Sequence, residues 1–509
     1  MDKTDIRTAI ISCAFAAVFP TSINSQNPGP LQTESPQMYF ERTTREEWME
    51  HATAAVLAVT AAGDTVACSE SMKMLLPAST MKAITTGAAL HSLGEDYRFE
   101  TRLGYSGRIS GGTLYGDLYI IGGGDPVLGS RNHIAEPVER TFGKWKVMLA
   151  EAGISRIDGR IIGDDRFFDR VAEADSWQWN DIGTYYGAGT SGLSFNENMQ
   201  NINVTPGDAP GKPLKISIGY PALPWMEYRF QCTTGKAGTG NSLYMFTSPF
   251  APTGEMRGTF AIDRKTKTEQ VANKFPAYTC AWHFMKYLAG CGISCSKGAA
   301  DLGTVFGIPE NERIPEDSIR VIGSTFSPEL AEIVSETNHE SNNVYAETLF
   351  RTLGKEYCGK GCQDSAFVAV TGILEELGLD TGQGLNIADG SGLSRQNSIS
   401  PGFMCGFLKA MMDSPSFGTY AESLPQPGST GTLLYIMRKY PSDVKSRILM
   451  KSGSMTGVRC YCGYIIPTEG CRDDTIVFSI MVNNYFGTQA RLQEFLDRMI
   501  YLLAMAGRQ

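Results

Sequence analysis

Apolar and polar positions follow different periods in different stretches of this chain. "REEWMEHATAAVLAV" begins with a short helical pattern and runs into a strand, "AAVLAVTAAGDTVACSE". "SMKMLLPASTMKAITTGAALHSLG" then reads as a loop and a helix, stopped at Gly94. The polar, proline-bearing stretch 26–40 before them reads as a linker. From about Phe99 the character changes. "FETRLGYSGRISGGTLYGDLYIIGGGD" alternates apolar and polar residues between glycine turns, which predicts β-structure. "RTFGKWKVMLAEAGISRIDGRIIGDDRFFD" predicts helix, turn and strand, and 197–275 predicts short strands rich in Gly and Pro. "AWHFMKYLAGCGIS" predicts a helix ending at glycine.

From Phe326 onward helices dominate, in "SPELAEIVSETNHESNNVYAETLFRTLG" and "DSAFVAVTGILEELGLD". Two strands follow, "CYCGYIIP" and "TIVFSIMVNN", and a last helix, "RLQEFLDRMIYLLAMAG". That helix could anchor in a membrane, but its apolar face is better spent against the two strands before it. The elements together predict an α/β multi-domain fold. Its outer parts form one α/β domain, and a β-rich block of roughly 220 residues interrupts it.

Composition narrows the class. A chain of 509 residues exceeds one ordinary core, so two to four domains are expected. With 42% hydrophobic and 19% charged residues it is an ordinary folded protein. A net charge of −9, with no basic stripe or zinc-finger spacing, argues against a nucleic-acid binder. At the N-terminus, Lys3 and Arg7 precede an apolar run from Ala9 to Phe19. Those 11 residues are too short for a bilayer but suit a signal-peptide core, with cleavage near Ser22 to Ser25. A buried N-terminal helix is the alternative. The apolar run continues past Cys13, which is wrong for lipoprotein processing. The mature protein is therefore expected to be exported, with no integral membrane segment.

Of 12 cysteines, 11 lie beyond the signal region, with close pairs at 291/295, 358/362 and 460/462. No histidine stands beside them at zinc spacing, so no metal is expected. In an oxidising compartment some could pair as disulfides, and buried free thiols are the equal alternative.

Ser79-x-x-Lys82 in "PASTMKAITTGAAL" is by itself an ordinary helix start. Two further triplets change its weight. Ser341-Asn342-Asn343 precedes a helical pattern, and Lys451-Ser452-Gly453 leads into a strand. Residues i and i+3 share a helix face, so Lys82 can reach the Ser79 hydroxyl. A serine at a helix start also sits near free N–H groups and the positive dipole end, which favours an oxyanion there. An amine with an ordinary pKa of about 10.4 cannot serve as a base. Burial and a second cation, Lys451, would push it down. Ser341 offers a hydroxyl to carry a proton to a leaving amine. Asn343 offers an amide to a substrate backbone and to Lys82. Lys451 and Ser452 supply charge and a hydroxyl for a terminal carboxylate. The N–H groups of Ser79 and Ser454 would form an oxyanion hole, where one donor is worth about 3 kcal/mol.

The ordered set Ser-x-x-Lys, Ser-x-Asn and Lys-Ser-Gly resembles the signature of the penicillin-binding and serine β-lactamase superfamily. The 262 residues from Ser79 to Ser341 far exceed what a compact β-lactamase needs. "GDLYIIGGGDPVL", "SWQWNDIGTYYGAGTSGLSFNEN", "DGSGLSRQNSISP" and "SLPQPGSTGTL" extend the likeness over about 45–505. The chain closely resembles the D-alanyl-D-alanine carboxypeptidase/endopeptidase family, the low-molecular-mass class C penicillin-binding proteins. The resemblance implies a transpeptidase-like domain split by two inserted domains. The expected division is a signal peptide 1–25, a catalytic domain 26–98 with 323–509, domain II as 99–196 with 276–322, and a nested β-rich domain III, 197–275. It also implies acyl-enzyme hydrolysis of peptidoglycan stem peptides, acylation by β-lactam antibiotics, a periplasmic location and no cofactor. Ser79 is then the nucleophile and Lys82 its base. Asp181 in "WNDIG" and Arg395 in "GLSR" match positions that line the family's substrate cleft. Serine at 452, where many members carry threonine, keeps the hydroxyl and loses a methyl.

Competing readings remain open at this stage. A β-lactamase shares the chemistry, and a cell-wall binding protein with a vestigial site shares the fold. "GGGD" at 122–125 lacks the Gly-Lys-Ser/Thr of a phosphate loop and reads as a tight turn. His339 beside Ser341 raises a Ser-His-Asp hydrolase, but no Gly-x-Ser-x-Gly elbow exists and the chain has only five histidines. His339 therefore reads as a surface helix residue. Trp177, Trp179, Tyr185 and Tyr186 read either as a stacking wall or as core.

Overall fold

The computed structural model describes residues 34–506. The expected signal peptide lies outside the described residues. A five-stranded antiparallel sheet runs in the order Ile448–Met455, Val458–Ile465, Ile476–Asn483, Thr53–Thr60, Thr65–Ser69. Its central strands are buried on both faces, so their side chains sort by alternation. Val477 and Met481 point to one core, while Ile476, Phe478, Ile480 and Val482 point to the other. The first core packs against helices Met81–Leu93, Leu330–Glu340, Asn343–Cys358, Gln363–Glu376 and Pro401–Met411. The second is covered by the last helix, Gln489–Ala506. Among the described residues no helix is long and apolar enough to cross a membrane.

The sequence reading of 26–40 as a linker is corrected at its end. Pro36–Thr44 is a helix, capped by Ser35, whose hydroxyl accepts from the Met38 N–H at 3.2 Å. Tyr39 and Phe40 pack on Phe495 of the last helix. Pro36 at the first helical position is a start signal rather than a break. Gln37 of this helix also donates to the Cys68 carbonyl at 3.1 Å and accepts from its N–H at 2.7 Å. One side chain thus satisfies two backbone groups of an edge strand.

The chain leaves the first core at Phe99 and returns at Ser327. The strands Glu100–Tyr105 and Arg320–Phe326 pair antiparallel, and the Ser327 N–H donates to the Phe99 carbonyl at 2.9 Å. These strands belong to a second, mixed sheet with Leu118–Ile121, Ile161–Asp164 and Ala299–Asp301. Helices Val138–Glu151 and Pro276–Gly290 cover it through Phe142, Trp145, Phe284 and Leu288. Between 199 and 272 two three-stranded sheets share a small core of Ile202, Val204, Met245, Met256 and Phe260. No disulfide links any of the 11 described cysteines. Cys232, Cys280, Cys405, Cys460 and Cys462 are buried thiols instead.

Candidate active site

The Ser79 segment is a tight turn before a buried helix. Ala78–Thr80 is one 3-10 turn, and Met81–Leu93 continues it as an α-helix whose residues through Leu90 are all buried. A helix apolar on every side belongs inside a domain. Ala78 takes φ +46°, a conformation that costs a non-glycine residue energy and survives only when its surroundings enforce it. Two glycines enforce it. A Cβ on Gly392 would stand 1.9 Å from the Ala78 carbonyl oxygen, and one on Gly453 would stand 2.4 Å from that of Pro77.

Lys82 is fully buried one helical turn beyond Ser79. Its Nζ lies 3.0 Å from Ser79 Oγ, 2.6 Å from Asn343 Oδ1 and 2.7 Å from the Ser391 carbonyl. Burial holds its pKa well below the ordinary lysine range, and the Lys451 cation lowers it further. Asp389 and Glu347 oppose the shift. The Asn343 amide nitrogen donates to the Tyr186 carbonyl at 2.8 Å, which fixes the oxygen toward Lys82.

Ser341 sits between two helices with φ 58° and ψ 38°, the left-handed region. That bend ends Leu330–Glu340, lets Asn342 cap Asn343–Cys358, and turns the Ser341 hydroxyl toward the sheet. Lys451 Nζ donates to Ser341 Oγ at 2.9 Å and to the Ser452 carbonyl at 3.0 Å. Burial brings the Lys451 pKa down to about 7. Ser452 donates to Thr432 Oγ1 at 3.1 Å. These residues lie on Ile448–Met455, the outermost strand of the first sheet, where Ser454 is exposed.

Seven of the expected residues therefore gather at one place: Ser79, Lys82, Ser341, Asn343, Lys451, Ser452 and Gly453. Asp181 and Arg395 stand at its border. Tyr186, whose carbonyl holds Asn343, donates its hydroxyl to Asp181 at 3.3 Å. Burial raises the Asp181 pKa, and Arg395 pulls it back. The exposed Arg395 donates to the Thr456 carbonyl at 3.0 Å, just past the edge strand. His339 is half-buried and Ser341 accepts from Lys451 rather than bonding to His339, so His339 and Ser341 do not form the pair of a Ser-His-Asp triad among the described residues. The aromatic set divides: Trp177 is buried against Asp389, while Trp179 is exposed and stacks on Phe246.

Sequence reasoning missed the support beneath Lys82. Asp389 accepts from the Gly392 N–H at 2.7 Å, the Ser394 N–H at 2.6 Å, Asn397 Nδ2 at 2.7 Å and Trp177 Nε1 at 2.8 Å. Glu347 accepts from the Ser391 N–H at 2.7 Å and the Gly390 N–H at 3.3 Å. The "DGSGLSR" stretch is a glycine turn as expected, but one built around a buried carboxylate. A signal existed for Glu347, which stands four residues after Asn343 and so on its helix face.

Such a serine and lysine on a buried helix, facing a lysine-bearing edge strand, define the serine DD-peptidase and β-lactamase class. The chain belongs to the D-Ala-D-Ala carboxypeptidase 3 (S13) family of serine-type hydrolases, which matches residues 39–504. It is 31% identical over 451 residues to the D-alanyl-D-alanine carboxypeptidase of Actinomadura sp. (strain R39), covering 86% of this chain and 79% of that protein. It is 24% identical over 420 residues to the D-alanyl-D-alanine carboxypeptidase DacB of Haemophilus influenzae, covering 81% of each. The fold matches the crystal structure of penicillin binding protein 4 (dacB) from Haemophilus influenzae with a TM-score of 0.73 at 22% identity. That match covers 90% of this chain and 96% of the other.

Proposed function

We propose that this serine DD-peptidase is exported, hydrolyses peptidoglycan stem peptides through an acyl-Ser79 intermediate, and is acylated by β-lactams in the same way. The observation that carries the reading is the 3.0 Å contact between Ser79 Oγ and a buried Lys82 amine whose pKa is depressed. Neutral Lys82 takes the Ser79 proton as Oγ attacks the carbonyl between two D-alanines, and the C–O bond forms. The oxyanion falls to the N–H groups of Ser79 and Ser454, in the way preorganised donors stabilise developing charge. The proton passes through Ser341 to the leaving nitrogen, the C–N bond breaks, and D-alanine departs. Water then hydrolyses the ester and restores Ser79. Lys451 and Ser452 bind the terminal carboxylate, and Asn343 the substrate backbone. Asp181 and Arg395 line the cleft at its border.

The same reading keeps the division into a catalytic region (26–98 with 323–509) and two insertions (99–196 with 276–322, and 197–275). The adjoining exit and return strands support it, since an insertion whose ends meet perturbs its host least. The apolar run 9–19 supports export, to the periplasm.

Labelling with a fluorescent penicillin tests the nucleophile: the natural chain forms a covalent adduct and Ser79→Ala does not. An adduct that persists in Ser79→Ala overturns the assignment. Mass spectrometry of digested cell-wall fragments reads the activity, as loss of one D-alanine or as cleavage of cross-linked dimers.

A further inference from the structure

Lys82 has one contact that the reaction does not consume. Besides Ser79 and Asn343, its Nζ donates to the carbonyl of Ser391, in a loop more than 300 residues away. A flexible amine is aimed by the contacts it makes. The fixed position of that carbonyl therefore decides where the amine stands relative to Ser79. Within the loop, Asp389 holds the N–H groups of Gly392 and Ser394, but those of Gly390 and Ser391, in a glycine-flanked turn, are taken from outside it. Something must hold it from behind.

Glu347 does so. It lies on the Asn343–Cys358 helix, one turn beyond Asn343, and its two oxygens take the N–H groups of Ser391 and Gly390. Thr85, on the Lys82 helix, holds the Gly390 carbonyl at 2.7 Å. One helix therefore fixes two of the acceptors of Lys82, Asn343 directly and Ser391 through Glu347. We propose that Glu347 is a positioning residue for acylation, its carboxylate bracing the Gly390–Ser391 turn so that the Ser391 carbonyl aims the Lys82 amine at Ser79. The proposal rests on Lys82 being the base.

The placement has an electrostatic consequence. The buried Glu347 carboxyl faces Asp389 from the glycine loop, and burial with that repulsion raises its pKa to about 7. Lys82 faces Glu347 from the helix, Asp389 from the loop and Lys451 from the edge strand. Glu347 and Lys82 can hold one proton between them in two ways. Of the two, the arrangement with the proton on Glu347 leaves the amine neutral and active, and the acid still accepts the Ser391 N–H through its carbonyl oxygen. Glutamine at 347 takes away a negative charge that favours the protonated amine while keeping an oxygen for the Ser391 N–H.

The experiment measures the encounter constant and the acylation rate constant for a fluorescent penicillin across the pH range of the folded protein. The natural enzyme, Glu347→Gln, Glu347→Ala and Lys82→Ala are compared. Glu347→Ala should lose about 100-fold in acylation rate, the typical cost of a misplaced catalytic group, with the encounter constant unchanged. Glu347→Gln should keep the plateau rate and move the acid limb of the profile to lower pH. A residue that merely supports the fold would leave that limb in place. If Glu347→Ala does not fold, the limb of Glu347→Gln decides alone. An unshifted limb in Glu347→Gln, or wild-type acylation by folded Glu347→Ala, overturns the proposal. Full acylation by Lys82→Ala would instead overturn the assignment of the base.

Discussion

Gly453→Ala puts the assembly of the site to its most direct test. The added methyl would meet the Pro77 carbonyl oxygen at 2.4 Å, the Thr80 nitrogen at 2.9 Å and the Ser79 nitrogen at 3.1 Å. All three are backbone atoms, so no side chain can rotate away. Ordinary contact begins near 3.4 Å, so strand and turn must part by about 1.0 Å. The turn has no slack on its other side, where Gly392 already lies against the Ala78 carbonyl. The Ser79–Lys82 pair travels with its own helix and survives. What opens is the gap between Ser79 and the strand that carries Lys451, Ser452 and Ser454. A displacement of that size costs roughly 100-fold in rate when it separates reacting groups from the groups that stabilise them. Overpacking adds about 1–3 kcal/mol of destabilisation. Acylation by a fluorescent penicillin, followed in time beside a melting curve, reads both. A folded Gly453→Ala protein that acylates at the wild-type rate would refute the claim that the strand must touch the Ser79 turn.

Other outcomes follow from the same geometry. Lys82→Ala should lower acylation by a fluorescent penicillin by about 100- to 10,000-fold, the range of a general base. Lys451 loses its proton as pH rises past about 7, so KM for a peptide ending in a free carboxylate should climb above that pH, while that of its C-terminal amide stays flat. Arg395→Ala should raise KM and leave the penicillin acylation rate unchanged, because Arg395 lies at the border and touches neither Ser79 nor Lys82. Gly87→Ala, on the Ser79 helix, would place a methyl 2.7 Å from Phe407 and 3.1 Å from Tyr420. It should cost about 1–3 kcal/mol in chemical denaturation.

The residues proposed to react were legible in the sequence because their chemistry restricts residue type and local context at once. Ser79 and Lys82 must share a helix face, and Asn343 must begin a helix. Of the supporting carboxylates, Glu347 left only its spacing from Asn343 as a signal, and Asp389 left none. Glu347 stands in "NVYAETLFRTLG", where a glutamate on a helix ordinarily faces solvent, and only the fold turns it inward. Asp389 hides in a glycine loop whose residues each favour a turn for local reasons. The helix Pro36–Thr44 escaped because its first residue is proline and its partner, the last helix, comes more than 400 residues later. The cysteine pairs failed as a guide because spacing says nothing of burial. Cys460 and Cys462 lie on one face of a strand that buries both.

Two buried lysines in one site pose an opposite demand: one must shed its proton and the other keep it. Burial alone lowers both and cannot separate them. Their neighbours do. Lys82 has a cation, Lys451, as its largest neighbouring influence, which adds to the desolvation and is only opposed by the smaller pull of Asp389 and Glu347. Lys451 has instead Glu340, whose carboxylate restores part of what burial removes. The difference comes from where the strand and the Leu330–Glu340 helix meet, since Glu340 precedes the left-handed Ser341 that Lys451 holds. Replacing Glu340 with glutamine should therefore lower the pH at which Lys451 loses its charge and draw the rise in KM for carboxylate substrates to lower pH. A KM profile that does not move would show that burial alone sets Lys451, and that the two lysines are sorted by depth rather than by their neighbours.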